Sequence, residues 1–246
     1  MKEMAERTTI LRAVVGSKVH GLNLDGTDDT DEMAVFIEDA SVALGLHPVE
    51  HVIWRTQPEG HPSGHGDLDL AMYSLRKYVR LALGGNPSIL LLLYSPPTLA
   101  TRFGQELQRL APHIVSRHAV DPFLGYMVAQ RQRLTGERGG RALRKDDNPA
   151  GYDTKYAMHM LRLGIQGVEL METGAITLPM PDPDRSFLMA VRHGEVELTA
   201  VLTRSGELER CLEDLRITSP LDPKPDKEFV ERWMVDAYQS SWAGVS

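Results

Sequence analysis

A run rich in β-branched and apolar residues, Thr9-Ile10-Leu11-Arg12-Ala13-Val14-Val15, stops at Gly16-Ser17, and the next such run, Met33-Ala34-Val35-Phe36-Ile37, is entered through Asp29 and Asp31. The first run reads as a buried strand ending in a tight turn, because β-branched residues favour the extended backbone and a Gly-Ser pair interrupts it. Glycine at position 16 lets the backbone approach a ligand closely, and Ser17 offers a hydroxyl and an N–H at the first turn of a short helix. Successive N–H groups there form a cradle for an anion. On an extended chain, residues two apart project to one face, so Asp29 and Asp31 lie side by side. Two carboxylates so placed repel each other unless a cation sits between them, and Mg²⁺ bridging substrate phosphates is the usual occupant of such oxygen sites. The alternative register, Asp28 with Thr30, offers a neutral hydroxyl in place of the second carboxylate and is the poorer metal pair.

A third carboxylate comes from Gly66-Asp67-Leu68-Asp69-Leu70-Ala71-Met72-Tyr73, whose alternation predicts a half-buried strand with Asp67 and Asp69 facing the same way as Ala71 and Tyr73. Asp69 is the favoured third member. Strands are expected over 9–15, 31–37, 51–55 and 67–73. Helical spacing follows over 74–83, with Leu75, Val79 and Ala82 on one face and Gly84-Gly85 as the stop. Asn86 and Pro87 then open a short helix that Pro96-Pro97 ends, Asn86 as cap and Pro87 at the first helical position. From about Phe103 onward most segments carry helical spacing, broken by loops at Gly136-Glu137-Arg138-Gly139-Gly140 and Pro179-Met180-Pro181-Asp182-Pro183. The expectation is an α+β fold: a mixed sheet with flanking helices over 1–98, followed by a helical C-terminal domain over 99–246.

Composition narrows the class. A chain of 246 residues with 42% apolar and 25% charged residues can bury a substantial core. It contains no apolar run long enough to span a bilayer, and its first residues are too charged for a signal peptide, so a cytoplasmic protein without a membrane partner is expected. Cys211 is the single cysteine, which excludes an intramolecular disulfide and a thiolate-rich zinc site. Its helical spacing with Leu208, Leu212 and Leu215 marks a packed structural thiol. His61 and His65 have no second ligand pair at zinc-site spacing and read as loop residues. Neither a Walker-type loop nor a Gly-x-Gly-x-x-Gly fingerprint occurs. The net charge of −7 argues against broad adhesion to nucleic acid, yet Arg131, Arg133, Arg138, Arg141, Arg144 and Lys145 concentrate positive charge mid-chain, either as a basic groove or as solvated surface.

Three blocks together resemble a known family: Gly16-Ser17 through Asp29 and Asp31; Asp69 with Tyr73-Ser74-Leu75-Arg76-Lys77 running to Gly85-Asn86-Pro87-Ser88; and Gly151-Tyr152-x-x-Lys155-Tyr156-Ala157-Met158-His159-x-x-Arg162-Leu163. The chain is similar to nucleotidyltransferases of the DNA polymerase β superfamily, in particular the RNA-ligase-associated, RNA-repair-linked members, over roughly its first four fifths. Many superfamily members carry Ser immediately before the first Asp of the metal pair, whereas this chain has Asp28 there.

The resemblance implies the nucleotidyltransferase fold and a role for each residue. Asp29, Asp31 and Asp69 would be catalytic and bind Mg²⁺ or Mn²⁺, with Asp69 facing the acceptor hydroxyl. Gly16 and Ser17 would hold the NTP phosphates. Lys77 would neutralise triphosphate charge or else belong to a solvated helix face with Arg76 and Arg80. Lys155, His159 and Arg162 recur at i, i+4 and i+7, one helical face with three potential cations; the family match makes it a nucleotide- or acceptor-contacting face. The implied activity is Mg²⁺-dependent transfer of a nucleoside monophosphate from an NTP to a hydroxyl, with RNA as the expected acceptor. A protein or small-molecule acceptor, or a nucleotide-binding module without turnover, remain the alternatives.

Overall fold

The structure, a computed structural model, describes residues 2–24, 29–58, 61, 64, 66–136 and 150–244. They form two compact units: one comprises the described residues of 1–84, 88–114 and 225–246, the other those of 85–87 and 115–224. The chain begins with α1 (Lys2–Arg7), β1 (Thr9–Val15), α2 (Gly16–His20), β2 (Thr30–Phe36), α3 (Ala40–Ala43), β3 (His51–Arg55) and β4 (Leu68–Ser74). There follow α4 (Leu75–Leu83), α5 (Pro87–Tyr94), β5 (Pro97–Ala100), α6 (Arg102–Arg109) and α7 (Ala111–Ile114). The second unit contains α8 (Val120–Leu134), α9 (Thr154–Thr173), α10 (Asp184–His193) and α11 (Leu198–Thr218), after which α12 (Lys227–Trp242) belongs to the first unit again. None of the described helices is long and apolar enough to cross a membrane.

The fold class is the expected one, a mixed sheet with flanking helices and further helices toward the C-terminus. The five strands lie in the order β3-β4-β2-β1-β5, with β2 and β4 parallel and every other neighbour antiparallel. The structure adds α1, α3 and β5 to the elements expected. Pro97, read as a helix terminator, is also the first residue of β5 at the sheet edge, where a missing N–H costs no ladder bond.

Alternation assigns each face of the sheet. On one face Ala34, Phe36, Leu70 and Met72 form a buried cluster with Ala5 of α1, and Met4, Val49, Val52 and Trp54 pack against it. On β1, Leu11, Ala13 and Val15 alternate with the residues of that face and are themselves buried, as are Met33 and Val35 on β2. Helix α4 buries Leu75, Tyr78, Val79 and Ala82. Burial of each large side chain among these contributes about 1.5–3 kcal/mol. Ser74 ends β4 and caps α4, its Oγ accepting the Lys77 N–H at 3.3 Å.

Helix α12 is held in the first unit by side-chain hydrogen bonds. The Tyr238 hydroxyl donates to Glu38 Oε2 at 2.6 Å and accepts the Arg76 N–H at 3.2 Å, while Trp242 Nε1 donates to the Glu38 carbonyl at 2.8 Å. Trp233 Nε1 donates to Glu106 of α6 at 3.0 Å. In the second unit Asp153 caps α9 by accepting the Lys155 and Tyr156 N–H groups. Helices α8 and α11 are tied by Arg131 to Glu209 and by Arg216 to Asp121, each at 2.5 Å. Leu208, Leu212 and Leu215 of α11 are buried as their spacing predicts, and burial with Glu172 and Asp214 raises the Cys211 pKa, keeping it a thiol.

Helix α6 approaches β1 closely at Gly104, where an added Cβ would lie 2.1 Å from the Ile10 carbonyl oxygen. Gly104→Ala is expected to lower the stability of the first unit by about 1–3 kcal/mol. Gly206→Ala in α11, where nothing lies within 4 Å of the new Cβ, should instead be neutral or stabilise by up to about 1 kcal/mol. Urea unfolding midpoints of the two variants against the parent check this pair.

Candidate metal and nucleotide site

The parallel pairing of β2 and β4 sets Asp31 directly opposite Asp69, with Thr30 opposite Leu68 and Met33 opposite Ala71. The antiparallel pairing of β1 and β2 places Val15 opposite Asp31, so the turn at Gly16 emerges beside that carboxylate. Asp29 completes the group: one carboxylate oxygen from each of Asp29, Asp31 and Asp69 lies within 4.8 Å of the others. Three unit charges at such separations repel by about 1–4 kcal/mol per pair, depending on effective dielectric. A divalent cation reverses the sign of that interaction. All three donors are hard carboxylate oxygens, which fits Mg²⁺ or Mn²⁺ better than a thiolate- or imidazole-seeking metal.

Gly16 is dictated by this arrangement. Its φ is +72°, a left-handed conformation that glycine adopts without strain, and a Cβ there would sit 2.3 Å from Asp31 Oδ2. Ser17 follows in the first turn of α2, as its sequence position suggests, and that short helix closes at Gly21, whose N–H reaches the Lys18 carbonyl at 3.1 Å. Lys18 Nζ donates to the Thr30 hydroxyl, tying α2 to the start of β2.

Asp67, expected on the same face as Asp69, lies one residue before β4 and takes a different task. Its carboxylate accepts from the Thr56 hydroxyl and the Gly64 N–H, each at 2.9 Å, and its carbonyl accepts the Thr30 N–H at 2.8 Å. Asp69 meets two residues that the sequence reading did not single out. Gln57 Nε2 donates to its Oδ1 at 2.9 Å, and Arg55 Nε lies 3.5 Å from the same oxygen. The strand-like alternation of 51–55 was a usable signal for Arg55, since β3 pairs it directly with Asp69. Asp28, His65 and the basic residues Arg138, Arg141, Arg144 and Lys145 lie outside the described residues.

With this geometry in place, comparison with known proteins identifies the family. The description of the RNA repair pathway DNA polymerase beta family, RlaP, matches residues 1–236. The chain belongs to that family. It is therefore a nucleotidyltransferase of the DNA polymerase β superfamily, and the match runs into α12, beyond the four fifths expected of the resemblance. No curated protein sequence matches the chain. Among solved structures, a nucleotidyltransferase-like protein from Exiguobacterium sibiricum 255-15 is similar at 12% identity and a TM-score of 0.32, over 87% of this chain and 71% of that one.

The residues of the other two sequence blocks are placed as follows. Lys77, in the first turn of α4, binds Glu50 at 3.0 Å, and Arg80 reaches the same carboxylate at 3.2 Å; with both cations beside it the Glu50 pKa lies below its usual value. Asn86 donates through Nδ2 to the Tyr126 hydroxyl at 3.0 Å within the second unit. Lys155, His159 and Arg162 share one face of α9, as their spacing predicts. They do not make three cations. Arg162 Nη2 contacts His159 Nδ1 at 3.0 Å, and because guanidinium can only donate, that ring nitrogen is the acceptor and carries no proton. Burial, reinforced by Arg162, Lys155 and Arg133, pushes the His159 pKa down to about 3. Arg162 also donates to the buried Gln166 Oε1 at 3.1 Å, and burial lowers its own pKa to about 10, which leaves it charged at neutral pH.

Two outcomes follow. Gly16→Ala should weaken Mn²⁺ binding by about tenfold or more with an unchanged far-ultraviolet circular dichroism spectrum, because it displaces Asp31 without removing a ligand; calorimetric titration with Mn²⁺ reads it. For His159, the unfolded chain binds a proton near pH 6.5 and the folded chain only near pH 3, so between those values the unfolded state holds more protons. Stability should therefore fall as pH drops from about 6.5 toward 3, and His159→Gln should flatten that dependence in urea unfolding at pH 7, 5.5 and 4.

Proposed function

We propose that the protein transfers a nucleoside monophosphate from an NTP to a hydroxyl of RNA, using Mg²⁺ or Mn²⁺ held by Asp29, Asp31 and Asp69. The convergence of three carboxylates within 4.8 Å beside the Gly16 turn carries this reading. Divalent ions held there supply the positive charge that nucleotidyl transfer requires around the α-phosphate. The chain's own groups do the rest. Ser17 and the backbone at Gly16 hold the β- and γ-phosphates, and Asp69 receives the proton of the acceptor hydroxyl. The acceptor oxygen bonds to the α-phosphorus as the bond to the bridging oxygen breaks, and pyrophosphate leaves with that electron pair.

Lys155 and Arg162 form an anion-contacting face in the second unit, with His159 as a neutral hydrogen-bonding partner at any pH above about 4. A triphosphate role for Lys77 requires its ammonium to exchange Glu50 for phosphate. RNA as acceptor is supported by the repair-pathway description of the family.

The test is pyrophosphate release with each of the four NTPs and Mg²⁺, with and without RNA, followed by tracing label from α-labelled NTP. Release should rise with RNA, label should appear on RNA, and Asp29→Asn, Asp31→Asn and Asp69→Asn should each lower the rate by about a hundredfold or more. Undiminished turnover in all three variants overturns the site. Label on protein or on a small molecule keeps the chemistry and replaces the acceptor. NTP binding with no release under any condition supports a module without turnover.

A further inference from the structure

Strand β3 is the sheet edge, and its two faces differ in kind. Val52 and Trp54 turn inward and pack against the cluster of Leu70 and Met72. His51, Ile53 and Arg55 occupy the other face and are exposed, Ile53 at 60%. Directly opposite them on β4 stand Tyr73, Ala71 and Asp69, each only partly buried. His51 and Tyr73 have nearly parallel rings, 21° apart with centroids 6.2 Å from each other. Cross-strand pairs share a face, so these six side chains form one two-stranded row, and Asp69 is the row's single carboxylate.

We propose that this row is the platform for the acceptor: the single-stranded end of a polynucleotide lies along β4 with its terminal hydroxyl at Asp69. The inference rests on the preceding reading that Asp69 faces the acceptor hydroxyl. From Asp69 to Tyr73 the strand rises about 14 Å, the length over which a stacked chain places roughly four bases. Tyr73 and His51 supply ring faces at the distal end, and Ile53 with Ala71 supplies an apolar floor between them. Such surfaces bind bases without demanding sequence. Arg55 supplies the charge complementarity. In the structure its guanidinium lies beside Asp69 Oδ1, the carboxylate that metal binding would engage. A backbone phosphate can then take the place of that carboxylate at Arg55.

The experiment is fluorescence anisotropy of the full-length protein with an end-labelled single-stranded RNA dodecamer, with Mg²⁺ and without NTP, repeated as a salt titration. Ile53→Glu places a charge on an exposed position, so the fold is retained, and it should weaken binding by about tenfold or more. Arg55→Gln should reduce the slope of log affinity against log salt by about one. Ile217→Glu, at a still more exposed site in the second unit, should change nothing. Asp31→Asn should abolish turnover and still bind the dodecamer, which separates this surface from the chemistry. If Ile53→Glu and Arg55→Gln both bind as the parent does while the parent releases pyrophosphate with RNA, the platform is wrong and the reaction stands. If the RNA binds only as a duplex, or Ile53→Glu instead blocks labelling of a protein acceptor, the platform is likewise overturned.

Discussion

The parallel pairing of β2 with β4 is the constraint on which the site depends. It is the only parallel pair in the described sheet, and it holds Asp31 and Asp69 at matched positions on adjacent strands. Side chains alternate with a period of two, so a slip of one residue would send one aspartate to the face occupied by Leu70 and Met72. Hydrophobic patterning therefore protects the register of the carboxylates. Ala34, Phe36, Leu70 and Met72 can be buried together only when Asp31 and Asp69 face the other way. The Thr30 N–H to Asp67 carbonyl bond continues the ladder to the point where Asp29 joins.

That pairing creates an electrostatic difficulty that the surroundings manage unevenly. Arg55 and the Gln57 amide stand against Asp69 Oδ1. On the opposite face Arg12 pairs with Glu32, its Nε at 2.7 Å from Oε2, so the extra carboxylate of β2 is matched away from the site. Asp31 is flanked by the turn at Gly16, and the absence of a side chain there leaves room for its carboxylate. A cluster of like charges is tolerated in a native fold when a bound cation repays the repulsion, and the placement of Arg55 at the end of the row makes it a counter-charge that metal can displace.

Legibility in the sequence followed the range of the interactions. The strand–turn–carboxylate arrangement from Thr9 to Asp31 is local, and spacing alone placed Ser17 in a first helical turn and Asp29 near Asp31. Asp69 was found because strand alternation survives without knowledge of partners. Alternation does not reveal where pairing begins, so the strand starts one residue later than expected, and the carboxylate of Asp67 serves the Thr56 and Gly64 contacts. Arg55 and Gln57 could not be assigned to Asp69 without the β3–β4 register. His159 illustrates a different limit. Helical spacing gave its face correctly, but its charge state depends on burial and on Arg162 at 3.0 Å, and neither is written in the spacing.

The C-terminal helix is part of the same structural logic. Glu38, at the far end of the segment that begins with Asp29, is fully buried, and a buried carboxyl group needs hydrogen-bond donors to offset lost hydration. The donor comes from α12, two hundred residues away, through the Tyr238 hydroxyl. Burial and the adjacent Glu38 raise the tyrosine's pKa, so it stays protonated and keeps donating. The same oxygen accepts the Arg76 N–H in the first turn of α4, the helix that follows the strand carrying Asp69. One hydroxyl thus joins the exits of both strands that carry the carboxylates. Because Trp242 also donates to the Glu38 carbonyl, undocking α12 would remove the bond to Glu38 Oε2 and the bond to its backbone carbonyl. The first unit is thus completed by α12, and the bonds that hold it at Glu38 come from Tyr238 and Trp242 near its C-terminal end.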